Sequence, residues 1–149
     1  MTLEEHLGYF FFDKQLLRQA LTTPAYALEQ QQQGQTCADQ QSYALLGAAL
    51  FTTVLSELLI RMGYDTQESI TEARKPLETE ATLAKIAEDI GVSYVMKLDT
   101  TAKQNRDPNS ALLAATLTAL VGAIYFDGGF RETREVIRRL YRAAFPEDL

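Results

Sequence analysis

The stretch 41-QSYALLGAALF-51 decides how the chain folds. Ala44 and Ala48 stand four residues apart, with Gly47 and Ala49 beside them. Residues three and four apart share one helix face. Small residues aligned on such a face let another helix backbone come close. The stretch belongs to a longer segment, Gln40 to Met62, which is apolar around most of its circumference. A helix of that kind is buried on more than one side. In so short a chain, that implies a second chain covering part of it. A second apolar segment, 110-SALLAATLTALVGAIYFDGGF-130, carries Ala114, Ala115, Ala119, Gly122 and Ala123 at the same spacing. The simplest arrangement packs the two small-residue faces together.

Working outward, the rest also reads as helix. Asp13 caps DKQLLRQAL, in which Leu16, Leu17, Ala20 and Leu21 fall on one side. Pro24 is expected to end or bend the chain. A glutamine-rich stretch over residues 28–41 is expected to be a polar loop. Gly63 stops the central helix, and Thr66 or Ser69 opens the next. Thr79 caps 79-TEATLAKIAEDIG-91, and Gly91 ends it. Pro108 and Asn109 mark a turn, with Ser110 as the cap of the second apolar helix. In 131-RETREVIRRLYRAAF-145, Val136, Ile137, Leu140 and Tyr141 point inward. No strict alternation bounded by turn pairs occurs, so the fold class is all-α, with one domain over residues 1–149.

Composition narrows the function classes. The chain has 149 residues, 46% hydrophobic and 23% charged, with a net charge of −6. That acidity weighs against a protein whose main affinity is for a phosphate backbone. No charge-free apolar run reaches the roughly 18 residues of a membrane span, so no membrane partner is expected. The start, MTLEEHLGYF, has two acids and no basic region, unlike a signal peptide. One cysteine, Cys37, cannot form an internal disulfide. Cytoplasmic residence is the expectation. His6, beside Glu4 and Glu5, is expected to be an exposed residue at a helix start.

The order of segments resembles a known family. LGYFFFDKQLLRQALTTPAYA is similar to the opening of the ribonuclease III catalytic domain, which reads LGYxFxxxxLLxxALTHxSYA. RKPLETEATLAKIAEDIG and LLAATLTALVGAIYFDGGF resemble two later segments of that family. The likeness runs from about Leu3 to Leu140, and 122-GAIYFDGGF-130 is its most specific piece. The layout is like the family's compact members, which lack a C-terminal double-stranded-RNA-binding domain. The resemblance implies an all-α endonuclease-type fold and a dimer built on the signature helix. It also implies magnesium held by four carboxylates that activate the water cutting RNA.

Anchored on Gly47 and Gly122, those four positions are Ala44, Ala48, Ala115 and Thr118. None is an acid. Magnesium takes oxygen ligands, usually with at least one carboxylate, and metal-assisted phosphodiester cleavage depends on that ion. The expectation is therefore no metal, no cofactor and no enzyme activity: a pseudoenzyme with an RNA-associated binding or scaffolding role. The family's histidine and serine after ALT are Thr23 and Pro24 here.

Two alternatives stand beside it. One is a protein-interaction subunit, in a ribonucleoprotein or paired with an active relative. The other is an active endoribonuclease for double-stranded RNA with rearranged ligands among Asp39, Glu57, Glu80 and Asp127. Candidate RNA-binding residues are Arg74, Lys75, Lys103 and Arg106, with the helical stripe Arg131, Arg134, Arg138 and Arg142. Candidates for the core and dimer seam are Leu45, Leu46, Phe51, Val54, Leu55 and Leu58, with a homodimer as the expected assembly.

Overall fold

The computed structural model describes residues 1–105 and 108–149. Eight α-helices are formed among them: α1 (Leu3–Leu7), α2 (Lys14–Ala20), α3 (Pro24–Gln32), α4 (Gln41–Arg61), α5 (Gln67–Arg74), α6 (Glu80–Asp89), α7 (Thr100–Asn105) and α8 (Ser110–Leu140). The described residues contain no strand, only one isolated parallel bridge between Thr22 and Lys97. The all-α expectation holds.

Local chemistry sets the helix starts. Asp13, Thr66 and Thr79 each accept a backbone N–H of the first turn, as their sequence positions predict. Four expectations need correction. Pro24 does not end the chain's path: it stands in the first turn of α3, where its missing N–H is no loss, and Thr23 caps it. α3 runs to Gln32, so residues 28–32 of the expected glutamine-rich loop are helical. Asn109, not Ser110, caps α8, through Oδ1 accepting from Leu112 N–H at 2.8 Å. α1, which carries no long periodic pattern, is closed by a reciprocal Thr2–Glu5 capping box. His6 lies in its last turn, half-buried, rather than at a helix start. α8 bends at Gly129 (φ 86°, ψ 179°), in the predicted DGG stop.

α4 and α8 form the centre. Phe51, Val54, Leu55 and Leu58 of α4 meet Leu117, Leu120 and Ile124 of α8 in one core, closed by Leu7, Ile137 and Phe145. By length and hydropathy alone, both helices could cross a membrane. Counting charge-free runs does not reveal this. They pack on each other, which is how two such helices are buried in a helical core.

The expected seam divides. Phe51, Val54, Leu55 and Leu58 are at most 1% exposed, so they belong to the intramolecular core and are not free for a partner. Leu46 is partly buried against that core. Leu45 is 78% exposed.

Candidate functional site

The site predicted from sequence is the crossing of α4 and α8, and the small residues do meet there. A Cβ on Gly47 would overlap the carbonyl of Thr118, and one on Gly122 would overlap the carbonyl of Tyr43. The two backbones thus touch at two reciprocal points. This is the close approach that the spacing of small residues implies.

Beside the crossing lies a cleft of about 230 Å³, lined by Pro24, Gln40, Gln41, Ala44, Asn109, Leu112 and Ala115 among others. Its floor is held by Gln40, which is 1% exposed. The Gln40 amide donates to the Ala20 carbonyl at 2.8 Å and to Thr116 Oγ1 at 3.1 Å. A buried amide satisfied this way fixes the junction of α2, α4 and α8. Sequence reading missed Gln40 because a polar residue at a helix start looks solvent-facing.

The four family positions do not fit a magnesium ion as they stand. Ala44, Ala48 and Ala115 carry no ligand atom, and the Thr118 hydroxyl donates to the Ala115 carbonyl at 2.8 Å. Among the described residues no three His, Cys, Asp or Glu converge as a metal-binding group. No catalytic step is derived through a metal at this place.

The substitute acids stand apart, each with its own partners. Asp39 accepts from Gln41 N–H at 2.9 Å and from the Gln41 amide at 2.8 Å. Glu57 accepts from Arg134 at 2.7 Å and Arg61 at 2.9 Å. The Arg134 hydrogen bond, aided by Arg61, holds the Glu57 carboxyl below its ordinary range despite burial. Glu80 is exposed in the first turn of α6. Asp127 accepts from the Tyr9 hydroxyl at 2.6 Å and from Phe12 and Asp13 N–H at 2.8 and 3.0 Å. It ties the N-terminal segment to α8, a longer reach than the turn-capping role its DGG setting suggests.

The RNA-binding candidates also divide. Arg134 and Arg138 are 19% and 15% exposed and are engaged with Glu57 and Glu135. Arg74 donates to Ser56 Oγ at 2.8 Å and lies 3.5 Å from Glu78. These three are structural in the single chain, so the predicted stripe is interrupted. Lys75 pairs with Glu72 at 3.1 Å in the open. Lys103, Arg131 and Arg142 are exposed and unpaired among the described residues. Arg106 lies outside the described residues.

A helical domain with its two apolar helices locked through glycines defines the class, and comparison with known proteins defines the family. The model of the ribonuclease-III-like family matches residues 13–144. The chain belongs to the ribonuclease-III-like family. It is 31% identical to a protein named Ribonuclease 3 from Bdellovibrio bacteriovorus over 93% of this chain and 58% of that one. It is 32% identical to one of the same name from Alkalilimnicola ehrlichii over 94% of this chain and 58% of that one. The chain thus spans less than two thirds of these relatives' length. The nuclease domain of ribonuclease III from Campylobacter jejuni superposes with a TM-score of 0.83 at 26% identity, covering 97% of this chain and 96% of that one. That structure is described as flexible in a region involved in dimer formation.

These relatives correct two expectations drawn from the four acid-free positions. The expectation of no enzyme activity is overturned by whole-chain likeness to proteins named Ribonuclease 3. The expectation of no cofactor falls with it, since the resemblance that named the family carries its magnesium chemistry. The error was to let four aligned positions outweigh the alternatives already open: carboxylates at other positions, among them Asp39, Glu57, Glu80 and Asp127, or an active relative as partner.

Proposed function

We propose that this chain acts on double-stranded RNA as an endoribonuclease of ribonuclease III type, working as a dimer in the cytoplasm. The observation that carries the reading is likeness to ribonuclease III over nearly the whole chain, in sequence and in fold. The reading carries a condition. The carboxylates for cleavage come from outside Ala44, Ala48, Ala115 and Thr118, and within one chain Asp39, Glu57, Glu80 and Asp127 do not converge.

That condition favours a second form of the reading, in which an acid-bearing relative is the other half of the dimer. The exposed part of α4 suits pairing: Leu45 is 78% and Ile60 57% exposed, with Ala48, Ala49 and Thr53 between them. An apolar helix face left open on a soluble domain is a usual place for a partner. Of the candidate cations, Lys103, Arg131 and Arg142 are unpaired among the described residues and suit a duplex, with Lys75 beside them in an exposed pair with Glu72. Because the chain is acidic overall, unaided RNA affinity is expected to be weak, and because it rests on cation–phosphate contacts it is expected to fall with salt.

The test is cleavage of long duplex RNA by the purified chain, in magnesium and then manganese, on a gel. Discrete fragments that follow the chain through re-purification support the self-sufficient form. RNA intact in both metals overturns that form. Fragments that appear only on mixing with an acid-bearing relative support the paired form. Separately, Leu45→Arg is expected to convert a dimer to a monomer in analytical ultracentrifugation, with the helical circular dichroism spectrum unchanged. An unchanged dimer would remove α4 from the interface.

A further inference from the structure

The structure holds a second concave feature, away from the α4–α8 crossing, whose lining contains no acid. It is a cavity of about 160 Å³ between α2, the α3–α4 connection and the strand-like segment at Lys97. Arg18 and Lys97 face it, with Thr22, Tyr26, Gln35 and Cys37 among its walls. Neither cation has an ion-pair partner among the described residues. We propose that this cavity binds a phosphate group, with Arg18 and Lys97 as the two cationic contacts.

The walls are fixed before any ligand arrives. Lys97 N–H donates to the Leu21 carbonyl at 2.9 Å, and the Lys97 carbonyl accepts from Thr23 N–H at 3.3 Å and Thr23 Oγ1 at 2.7 Å. The Lys97 ammonium lies 5.8 Å from the centroid of the Tyr26 ring, a cation–π distance that steadies it. The Thr22 hydroxyl donates to the Arg18 carbonyl at 2.7 Å, closing the end of α2. The far wall is tied by Gln31, whose amide donates to the Cys37 carbonyl at 2.8 Å. Gln35 N–H donates to the Gln30 carbonyl at 2.9 Å.

Two cations brought to one cavity repel each other when no anion sits between them. In a chain of net charge −6, acids for neutralising them are plentiful, yet none lines this cavity. An oxyanion completes the charge balance. Arginine offers a planar fork that matches phosphate oxygens, and lysine a compact point charge. Gln30, Gln35 and Thr36 add neutral polar residues to the lining. The phosphate arrives either as a small free phosphate or as part of an RNA backbone; both present the same oxygens.

Cys37, the chain's single cysteine, lines the cavity and serves as a reporter. The full chain is alkylated with N-ethylmaleimide, a neutral reagent, alone, with pyrophosphate, and with duplex RNA. Modification of Cys37 is read by mass spectrometry. Slowing by pyrophosphate identifies a site for free phosphate, and slowing by the duplex alone identifies a backbone site. Arg18→Gln and Lys97→Gln are each expected to weaken the protecting ligand by about tenfold or more. Lys85→Gln, at an exposed cation of α6 that does not line the cavity, is expected to leave protection unchanged. Absence of protection by either ligand overturns the proposal, as does protection that survives the double variant Arg18→Gln with Lys97→Gln. RNA cleavage does not enter this readout, so failure of one reading leaves the other standing.

Discussion

Gly47→Ala is expected to lower the melting temperature by about 10 °C, from a loss of about 3 kcal/mol. Two effects of opposite sign compete at this position. In mid-helix, alanine is favoured over glycine by about 1 kcal/mol. Against that, the new methyl would overlap the Thr118 carbonyl of α8. A flexible side chain could move aside, but this neighbour is helix backbone, which moves only with the whole of α8. The helices must separate, and the layer that includes Leu55, Leu58, Leu117 and Leu120, all fully buried, loses packing. The steric effect wins. Gly122→Ala is expected to act likewise, because its methyl would overlap the Tyr43 carbonyl. The double variant is expected to lose less than the sum, since the first substitution already opens the crossing that the second one strains. Thermal melts followed by circular dichroism decide the matter. A Gly47→Ala protein that melts higher than the parent would show that α4 and α8 do not meet through backbone.

The same crossing shows what sequence conveys and what it does not. Small residues at helical spacing announced the close approach, because spacing along a helix is geometry. Capping residues announced where α2, α5 and α6 begin, because the requirement for an acceptor at a helix start is local. Pro24 misled, since proline breaks a helix interior but suits a first turn, and only the position of Thr23 in space separates the two. The arginine stripe was legible as a stripe. That Arg134 reaches Glu57 across 77 residues was not, and the ion pair removes it from the surface. The cavity at Arg18 and Lys97 was invisible for the same reason: 79 positions separate cations that line one cavity. The site was the hardest part. Alignment of residue types located the four family positions, but it could not say where else a carboxylate is supplied.

Asp127→Ala is expected to cost about 2 kcal/mol, the scale of hydrogen bonds made to a charged acceptor. Its carboxylate receives the Tyr9 hydroxyl and the N–H groups of Phe12 and Asp13, and so fixes the segment between α1 and α2 against α8. Tyr9 in turn lies against Gly128, where a Cβ would meet its hydroxyl at 2.5 Å. Asp127→Asn is the sharper variant. An amide keeps one acceptor oxygen but turns two hydrogens toward groups that are themselves donors, so part of the arrangement is lost. The pH dependence follows from the sign of the shift. Burial raises the Asp127 pKa, but the Tyr9 hydroxyl and the two backbone N–H groups outweigh it, and Lys14 adds to them, so the carboxyl titrates below its ordinary value. A depressed pKa in the folded state means the stabilisation is fully present above the unfolded value of about 3.9 and fades as pH falls through the folded one. Glu57 and Glu135 are lowered too and share that acid window. The Asp127 contribution is therefore isolated as a difference: parent minus Asp127→Asn, measured by urea unfolding from pH 6 down to pH 2. The difference is expected to be constant near neutrality and to shrink in acid. Hydrogen exchange supplies the local check, with the Phe12 and Asp13 amides losing protection in the variant while those of Leu117 and Leu120 keep theirs. A stability gap that stays constant down to pH 2 would show that the Asp127 charge does not hold this segment.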